Sequence, residues 1–364
     1  MNPRRDYASL DARLRELTTR GLRRELRALK PLDATHVQFE ERRLTLFCSN
    51  DYLGLAQDPT VQRAARGGGA GSARLISGNR PSHQALEERL TALYDRPVTL
   101  LSSGYHANLA LFTTLLQRGM SVASDALNHA SIIDGLRLSH ATRHILPHGQ
   151  PALPAPVDLM AVEGLYSMDG DTLDLQAYTG AHWLAVDEAH AFGCIGPQGK
   201  GAAAAQGVDA DFIVGTLGKA VGAYGAFIVG PPALRELLLS QGRSFIFTTG
   251  LPETVTATAL AGVERAIEAT DLRERLAANA TKLRTGLREL GLKPLGSHHI
   301  VPVVLGARAM PIANALFEAG FMTTGIRPPT VPAGTERIRF TASAAHSDED
   351  IERLLYSLDG ILKR

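Results

Sequence analysis

The sequence predicts an α/β fold, with a mostly parallel sheet domain followed by a smaller C-terminal α+β domain. Three observations carry this. Between residues 98 and 229, seven short apolar runs alternate with helical stretches, the pattern of strands joined by crossover helices. Most of the runs are continuously apolar, as strands covered on both faces are. After Leu251 the alternation gives way to a long run rich in Ala, Leu, Glu and Arg, then to fewer, mixed elements. The chain's 364 residues leave room for about two or three domains. The pattern divides them into an N-terminal helical segment (1–45), a large sheet domain (46–250) and a C-terminal domain (251–364).

The elements follow in order. Leu10, Leu14, Leu17, Leu22, Leu26 and Leu29 recur at roughly helical spacing over residues 8–30, with arginines on the other faces. A membrane-surface helix or a docking helix would look this way. One leucine stripe suits a protein core better, and Pro31 stops the helix. Strands are expected at Thr99–Leu101, Ser121–Ser124, Arg143–Leu146, Leu159–Glu163, Trp183–Val186, Phe212–Thr216 and Ala226–Val229. Helices are expected at 82–94, 105–117, 130–139 and 232–241. Four prolines make Pro147–Pro156 a loop. Beyond it come a long helix over roughly 252–290, a strand Ile300–Leu305, a helix 311–319, a strand Arg337–Thr341 and a last helix 348–362.

Composition excludes several classes. Hydrophobic residues at 45% and charged residues at 21% are those of a globular protein. Thirty-eight basic against 37 acidic residues give no basic excess, which argues against a nucleic-acid partner. No apolar run approaches the roughly 18 residues of a membrane span, and no signal-peptide h-region is evident. Two cysteines, Cys48 and Cys194, cannot build a disulfide framework or a four-thiolate zinc site. The expectation is a cytoplasmic protein without membrane partners.

The chemistry begins at Val186-Asp187-Glu188-Ala189-His190. The apolar run ends in Asp187, so its carboxylate sits at the carboxyl end of a strand, where open α/β sheets bind ligands. The letters DEAH also occur in nucleotide-driven helicases, but those need a phosphate loop of the form GxxxxGK[ST]. Here Gly218-Lys219 has Ile213 where the loop needs glycine and Ala220 where it needs Ser or Thr. The run Thr216-Leu217-Gly218-Lys219 follows a strand and lies among Gly215, Gly222 and Gly225. A lone lysine is normally solvated. One at a strand end among glycines can be desolvated, which lowers its pKa and makes it a nucleophile towards carbonyls.

Lys219 with an upstream strand-end Asp187 suggests a site for pyridoxal 5′-phosphate (PLP). That cofactor needs a lysine to bond its aldehyde and a carboxylate to keep its pyridine nitrogen protonated. Ser102–His106 precedes a helix and offers backbone N–H groups to a phosphate. His129, at a strand-to-helix turn, could stack on the ring, although a lone histidine is more often structural. His190, three residues after Asp187, could reach the ring oxygen. His140, His144 and His148 are spaced by four, like metal ligands on a helix, but Pro147 and the strand pattern break that helix. No metal is expected.

Eight segments in this order resemble the α-oxoamine synthases, a family of fold-type I PLP-dependent transferases, over nearly the whole chain. They are SNDYLGL (Ser49–Leu55), GSARLISG followed by HQALE (Gly71–Glu87), SGYHAN (Ser103–Asn108), NHASI (Asn128–Ile132), EGLYSMDGD (Glu163–Asp171), VDEAH (Val186–His190), TLGK (Thr216–Lys219) and FIFTTGLP (Phe245–Pro252).

The resemblance implies that Lys219 bonds the cofactor and acts as acid/base at the substrate α-carbon, with Asp187 on the pyridine nitrogen. It implies that His190 and Ser167 hydrogen-bond the ring oxygen and that His129 stacks on the ring. Gly104 and Tyr105 amides and the Thr216 hydroxyl would hold the phosphate. Thr248 and Thr249 would reach the phosphate of a neighbouring subunit, in a homodimer with shared active sites. Asn50 and Arg339 would bind the amino-acid carboxylate; Arg337 shares the face of Arg339.

The segment IRPPTVPAG (Ile326–Gly334) is similar to that of the family's biotin-pathway member. This implies decarboxylative condensation of L-alanine with a pimeloyl thioester. Arg327 and Thr330 would face the acyl chain, and Arg23 or its neighbour Arg24 the substrate. Either coenzyme A or an acyl-carrier protein would carry the acyl group. A sister synthase using glycine is the alternative. Ala191-Phe192 after the DxxH motif and the Gly67–Gly71 run depart from the family's commoner residues, away from the catalytic positions.

Overall fold

The computed structural model describes residues 7–152 and 156–364. The N-terminal helix α1 covers only Ala8–Thr19, not 8–30. Gly21 takes φ +64°, and the amides of Gly21 and Leu22 return to the carbonyls of Thr18 and Leu17. This is a glycine-ended helix stop, so Pro31 plays no part. Nor does the stripe dock within the chain: Leu10, Leu14 and Leu17 remain 55%, 45% and 42% exposed.

Strands β1 (Lys30–Pro31), β2 (His36–Phe39) and β3 (Arg42–Leu46) follow. They form a hairpin-based sheet that no apolar run announces. Helices α2 (Pro59–Arg63) and α3 (Pro81–Tyr94) lead into β4 (Val98–Leu101), α4 (Gly104–Leu115), β5 (Ser121–Asp125), α5 (Ala130–Leu138), β6 (Thr142–Leu146) and β7 (Leu159–Glu163). Next come β8 (Trp183–Asp187), α6 (Ala202–Ala205), β9 (Phe212–Thr216) and β10 (Ala226–Val229). Residues 153–155 of the expected proline-rich loop lie outside the described residues.

Seven strands form one sheet in the order β4-β10-β9-β8-β7-β5-β6. Only β10 runs antiparallel to its neighbours. Separate apolar clusters cover the sheet: Leu100, Val162, Val186 and Phe227 belong to one, and Leu101, Ala161, Ala185 and Ile228 to the other. Burial on both faces is why these runs read as continuously apolar. The register pairs Glu163 with Asp187, and β9 ends at Thr216 beside them. Asp125 ends β5. The carboxyl edge therefore gathers these polar residues where ligands bind in such sheets.

Helices α7 (Pro232–Gln241) and α8 (Arg243–Ile246) precede two long helices, α9 (Glu253–Glu268) and α10 (Thr270–Glu289). The single helix expected over 252–290 is thus broken at Ala269, where ψ is 53°. Arg273 stabilises the break by donating to the freed carbonyls of Ala266 and Ile267. Strands β11 (Ile300–Val304), β12 (Phe321–Met322), β13 (Thr324–Ile326) and β14 (Arg337–Thr341), with α11 (Ala309–Glu318) and α12 (Asp348–Leu362), complete the chain. Strands β11, β14 and β13 form an antiparallel sheet over a core of Leu283, Val301, Ile338, Phe340 and Leu354. β12 instead pairs with β3, so the N-terminal hairpin is welded to the C-terminal elements. No helix among the described residues is long and apolar enough to cross a membrane.

Candidate active site

The turn after β9 presents Lys219. Gly222, at φ +72°, lets this turn lie against the backbone of Leu55 and Ala56, which a Cβ would strike. That contact ties the lysine turn to the Ser49–Leu55 segment. Burial pushes the Lys219 amine down to about 8, against the upward pull of Asp187 and Glu163; the charge of Arg339 lowers it further. An amine in that range is still mostly protonated near neutral pH, but it supplies far more of the free amine than an ordinary solvated lysine.

Asp187 is buried, yet its carboxylate is held from two sides. Oδ1 accepts from the Ala189 amide at 2.9 Å, and Oδ2 accepts from Asn108 Nδ2 at 2.7 Å. The same Asn108 amide donates to Ser131 Oγ at 2.9 Å, and Ser131 Oγ meets His129 Nδ1 at 2.8 Å. One asparagine on α4 therefore fixes both the carboxylate and the imidazole. The His129 backbone N–H donates to Glu163 Oε1 at 2.5 Å. Burial lowers the pKa of His129, and burial together with Asp187 raises that of Glu163 well above its usual range.

His190 Nδ1 lies 2.6 Å from the Tyr52 hydroxyl, and its Nε2 has no partner among the described residues. Burial first, then the charges of Lys219 and Arg339, push its pKa far down, so the ring is neutral. Tyr52 also donates to Asn50 Oδ1 at 3.0 Å. Arg339, 5% exposed, donates to the Ser167 carbonyl at 2.6 Å, to Asn50 Oδ1 at 3.2 Å and to the Tyr52 oxygen at 3.3 Å. It makes no ion pair among the described residues. Arg337 differs: it is bound to Asp169 at 2.6 Å. A buried guanidinium without a counter-ion is costly unless an anion joins it. The neighbour on the same face is already neutralised, so of the two only Arg339 is without a counter-ion among the described residues.

Helix α4 begins beside this cluster. Ser103 Oγ takes the His106 amide, while the Gly104 and Tyr105 amides have no acceptor among the described residues. They form the free positive end of a twelve-residue helix. The Thr216 hydroxyl donates to the Gly225 carbonyl at 3.2 Å and accepts from the Gly218 amide at 3.3 Å. Thr248 and Thr249 lie with Ser102 and Ser244 around a cavity of about 10 Å³. Arg23, Arg24, Arg27, Arg327 and Thr330 line a separate groove of about 710 Å³, where Arg327 donates to the Arg23 carbonyl at 3.5 Å. Thr324 in the groove wall is the register partner of Arg339, so the groove reaches the arginine's strand.

Asn108, Tyr52 and Glu163 stand in quoted motifs, yet sequence reasoning gave them no role. A single polar residue within the otherwise apolar run 107–112 was the available signal for Asn108. The set fits PLP: a half-buried amine of lowered pKa, a buried carboxylate with lone pairs to spare, a neutral imidazole and free helix-end amides.

The sequence pattern of the family "aminotransferase class I and II" matches residues 42–358. The chain is 43% identical to an 8-amino-7-oxononanoate synthase of Halorhodospira halophila, covering 96% of this chain and 94% of that protein. Among solved structures it is similar to a Sphingomonas wittichii serine palmitoyltransferase, with 33% identity, a TM-score of 0.91 and 98% and 97% of the two chains covered. A serine palmitoyltransferase of S. paucimobilis, solved with bound PLP, gives 31% identity, a TM-score of 0.91 and 99% coverage of both chains. The chain therefore belongs to the aminotransferase class I and II family and, within it, to the α-oxoamine synthases.

Proposed function

We propose that this chain is a PLP-dependent acyltransferase that condenses L-alanine with a pimeloyl thioester, with loss of carbon dioxide, to give 8-amino-7-oxononanoate for biotin synthesis. The observation that carries the reading is the pair formed by a half-buried Lys219, whose amine is lowered to about 8, and a buried Arg339 that lacks a counter-ion. The first suits proton transfer at an α-carbon; the second suits an amino-acid carboxylate. The relative's name supplies the acyl class.

PLP, when bound, supplies an aldehyde that bonds amines and a protonated pyridine that takes up electrons released at the α-carbon. Lys219 would hold that aldehyde, and its amine would carry the α-proton of the amino acid. Asp187 keeps the pyridine nitrogen protonated, and Asn108 keeps Asp187 aimed. His190 and Ser167 serve the ring oxygen, and His129 covers the ring. Gly104, Tyr105 and Thr216 hold the phosphate. Asn50 and Arg339 hold the substrate carboxylate. Arg23, Arg327 and Thr330 face the acyl chain, whose carrier is coenzyme A or an acyl-carrier protein.

In this reading Thr248 and Thr249 serve the phosphate of a second copy, so the working unit is a homodimer. Lys219→Ala chains and Thr248→Ala/Thr249→Ala chains should each be inactive or weak alone but recover activity when refolded together. Demonstrated heterodimers no more active than the separate variants would contradict this.

The reading is tested by titrating the visible band of the holoenzyme with L-alanine, glycine and L-serine. Alanine should perturb it at the lowest concentration. Arg339→Ala should raise the apparent Kd for alanine roughly 10- to 150-fold, from the loss of about 1.5–3 kcal/mol of charge-assisted bonding. A preference for glycine would move the chain to a sister synthase. An unchanged alanine Kd in the variant would take the carboxylate away from Arg339.

A further inference from the structure

His148 stands outside the site described above, and the histidine spacing that singled it out has no ligating geometry. His140 sits at φ +61° in the connection between α5 and β6, and His144 lies on strand β6. Among the described residues, no group of three or more His, Cys, Asp or Glu is placed to hold a metal. His148 instead uses both ring nitrogens on carboxylates. Nδ1 lies 2.9 and 3.0 Å from the two oxygens of Asp125, and Nε2 lies 2.8 Å from Asp171 Oδ2. The ring also meets Tyr166 edge-on, with centroids 4.6 Å apart.

The two carboxylates belong to two different turns of the cleft. Asp125 ends β5, and its Oδ1 also accepts the Leu127 amide at 2.8 Å, shaping the turn that delivers His129. Its side chain is fully buried. Asp171 closes the turn after β7: its carbonyl accepts the Tyr166 amide, and the Tyr166 carbonyl accepts the Gly170 amide. That turn carries Ser167. Its other side is already held by Arg337 on Asp169 and by Arg339 on the Ser167 carbonyl.

We infer that His148 is a positioning residue: its ring bridges the turn carrying His129 and the turn carrying Ser167, and so sets the spacing between two flanks of the cofactor cleft. The hydrogen bonds to Asp125 and then Asp171 raise its pKa to about 10, against the opposing effect of burial. It is therefore a fixed cation at neutral pH, which a buried carboxylate such as Asp125 requires. Partners that orient metal ligands from behind typically matter by about 10- to 100-fold in affinity or activity, and an effect of that order is expected here.

The inference rests on reading the cleft as a PLP site. Its test is PLP binding by equilibrium dialysis, together with the visible circular dichroism of the bound cofactor, on the full chain. His148→Gln keeps the volume, loses the charge and can serve only one carboxylate. Its Kd for PLP should rise about tenfold or more, with a weaker dichroic band per bound cofactor. Asp171→Asn frees only the Ser167 turn and should change the dichroism with a smaller loss of affinity. A purely structural role would lower thermal stability but leave the Kd and the band at their wild-type values, and that result overturns the inference. So does a change in His148→Gln with none in Asp171→Asn, because the bridge would then be one-sided. If His148→Gln does not fold, Asp171→Asn decides alone. Wild-type protein that binds no PLP would instead defeat the reading of the site.

Discussion

Lys219→Ala protein should lose turnover by at least the roughly 10²- to 10⁴-fold that a positioned general base contributes, while still binding PLP. The two halves of this expectation have separate causes. Turnover fails because no other amine among the described residues stands at the strand end beside Asp187. Its pKa of about 8 is a product of that burial, so a neighbouring surface lysine cannot replace it at neutral pH. Binding survives because the other contacts are independent of the lysine. Asp187 is held by Ala189 and Asn108, and the α4 amides are fixed by the helix. The bound PLP should therefore dialyse away, whereas in the wild type borohydride should lock it to one peptide. Mapping that peptide checks the assignment. Label on a lysine other than Lys219 would remove it from the chemistry.

Asp187→Asn should slow exchange of the alanine α-proton by about 10- to 1,000-fold, since a close carboxylate typically shifts a partner's pKa by about 1–3 units. An amide cannot hold the pyridine nitrogen protonated, so the electron sink weakens. PLP affinity should fall much less, because phosphate and ring contacts remain. The substitution also sets an amide against the Asn108 Nδ2 donor, which loses its acceptor unless the new side chain turns its oxygen that way. Deuterium incorporation into alanine, followed by NMR, separates this from a binding defect. Wild-type exchange would mean that Asp187 is not the nitrogen's partner.

The legible and the illegible parts of this molecule divide along physical lines. The strands of the large sheet could be read because burial on both faces leaves continuous apolar runs, and Lys219 and Asp187 could be read because each ends such a run. The β2–β3 hairpin could not: His36, Gln38, Arg42 and Arg43 interrupt any apolar pattern. The break at Ala269 has neither Gly nor Pro to mark it, only a capping arginine four residues later. The helix stop at Gly21 was legible in principle, but the leucine spacing continued past it. Apart from the lone polar Asn108 in an apolar run, support for the site was invisible because it is non-local. Asn108 reaches Asp187 across 79 residues, Glu163 reaches His129 across 34, and His148 reaches both Asp125 and Asp171 across 23. No single-chain pattern encodes such contacts; the sheet creates them by bringing strand ends together.

The most direct test of the whole account follows the carboxylate of the amino acid. The purified holoenzyme is given a pimeloyl thioester and L-alanine labelled with ¹³C at the carboxyl carbon, and gas and products are analysed by mass spectrometry. The expected result is labelled carbon dioxide and an unlabelled amino ketone that keeps alanine's nitrogen and α-carbon. Formation of labelled pyruvate instead, with the nitrogen left on the cofactor and no carbon dioxide, would show an aminotransferase and contradict the condensation at its centre.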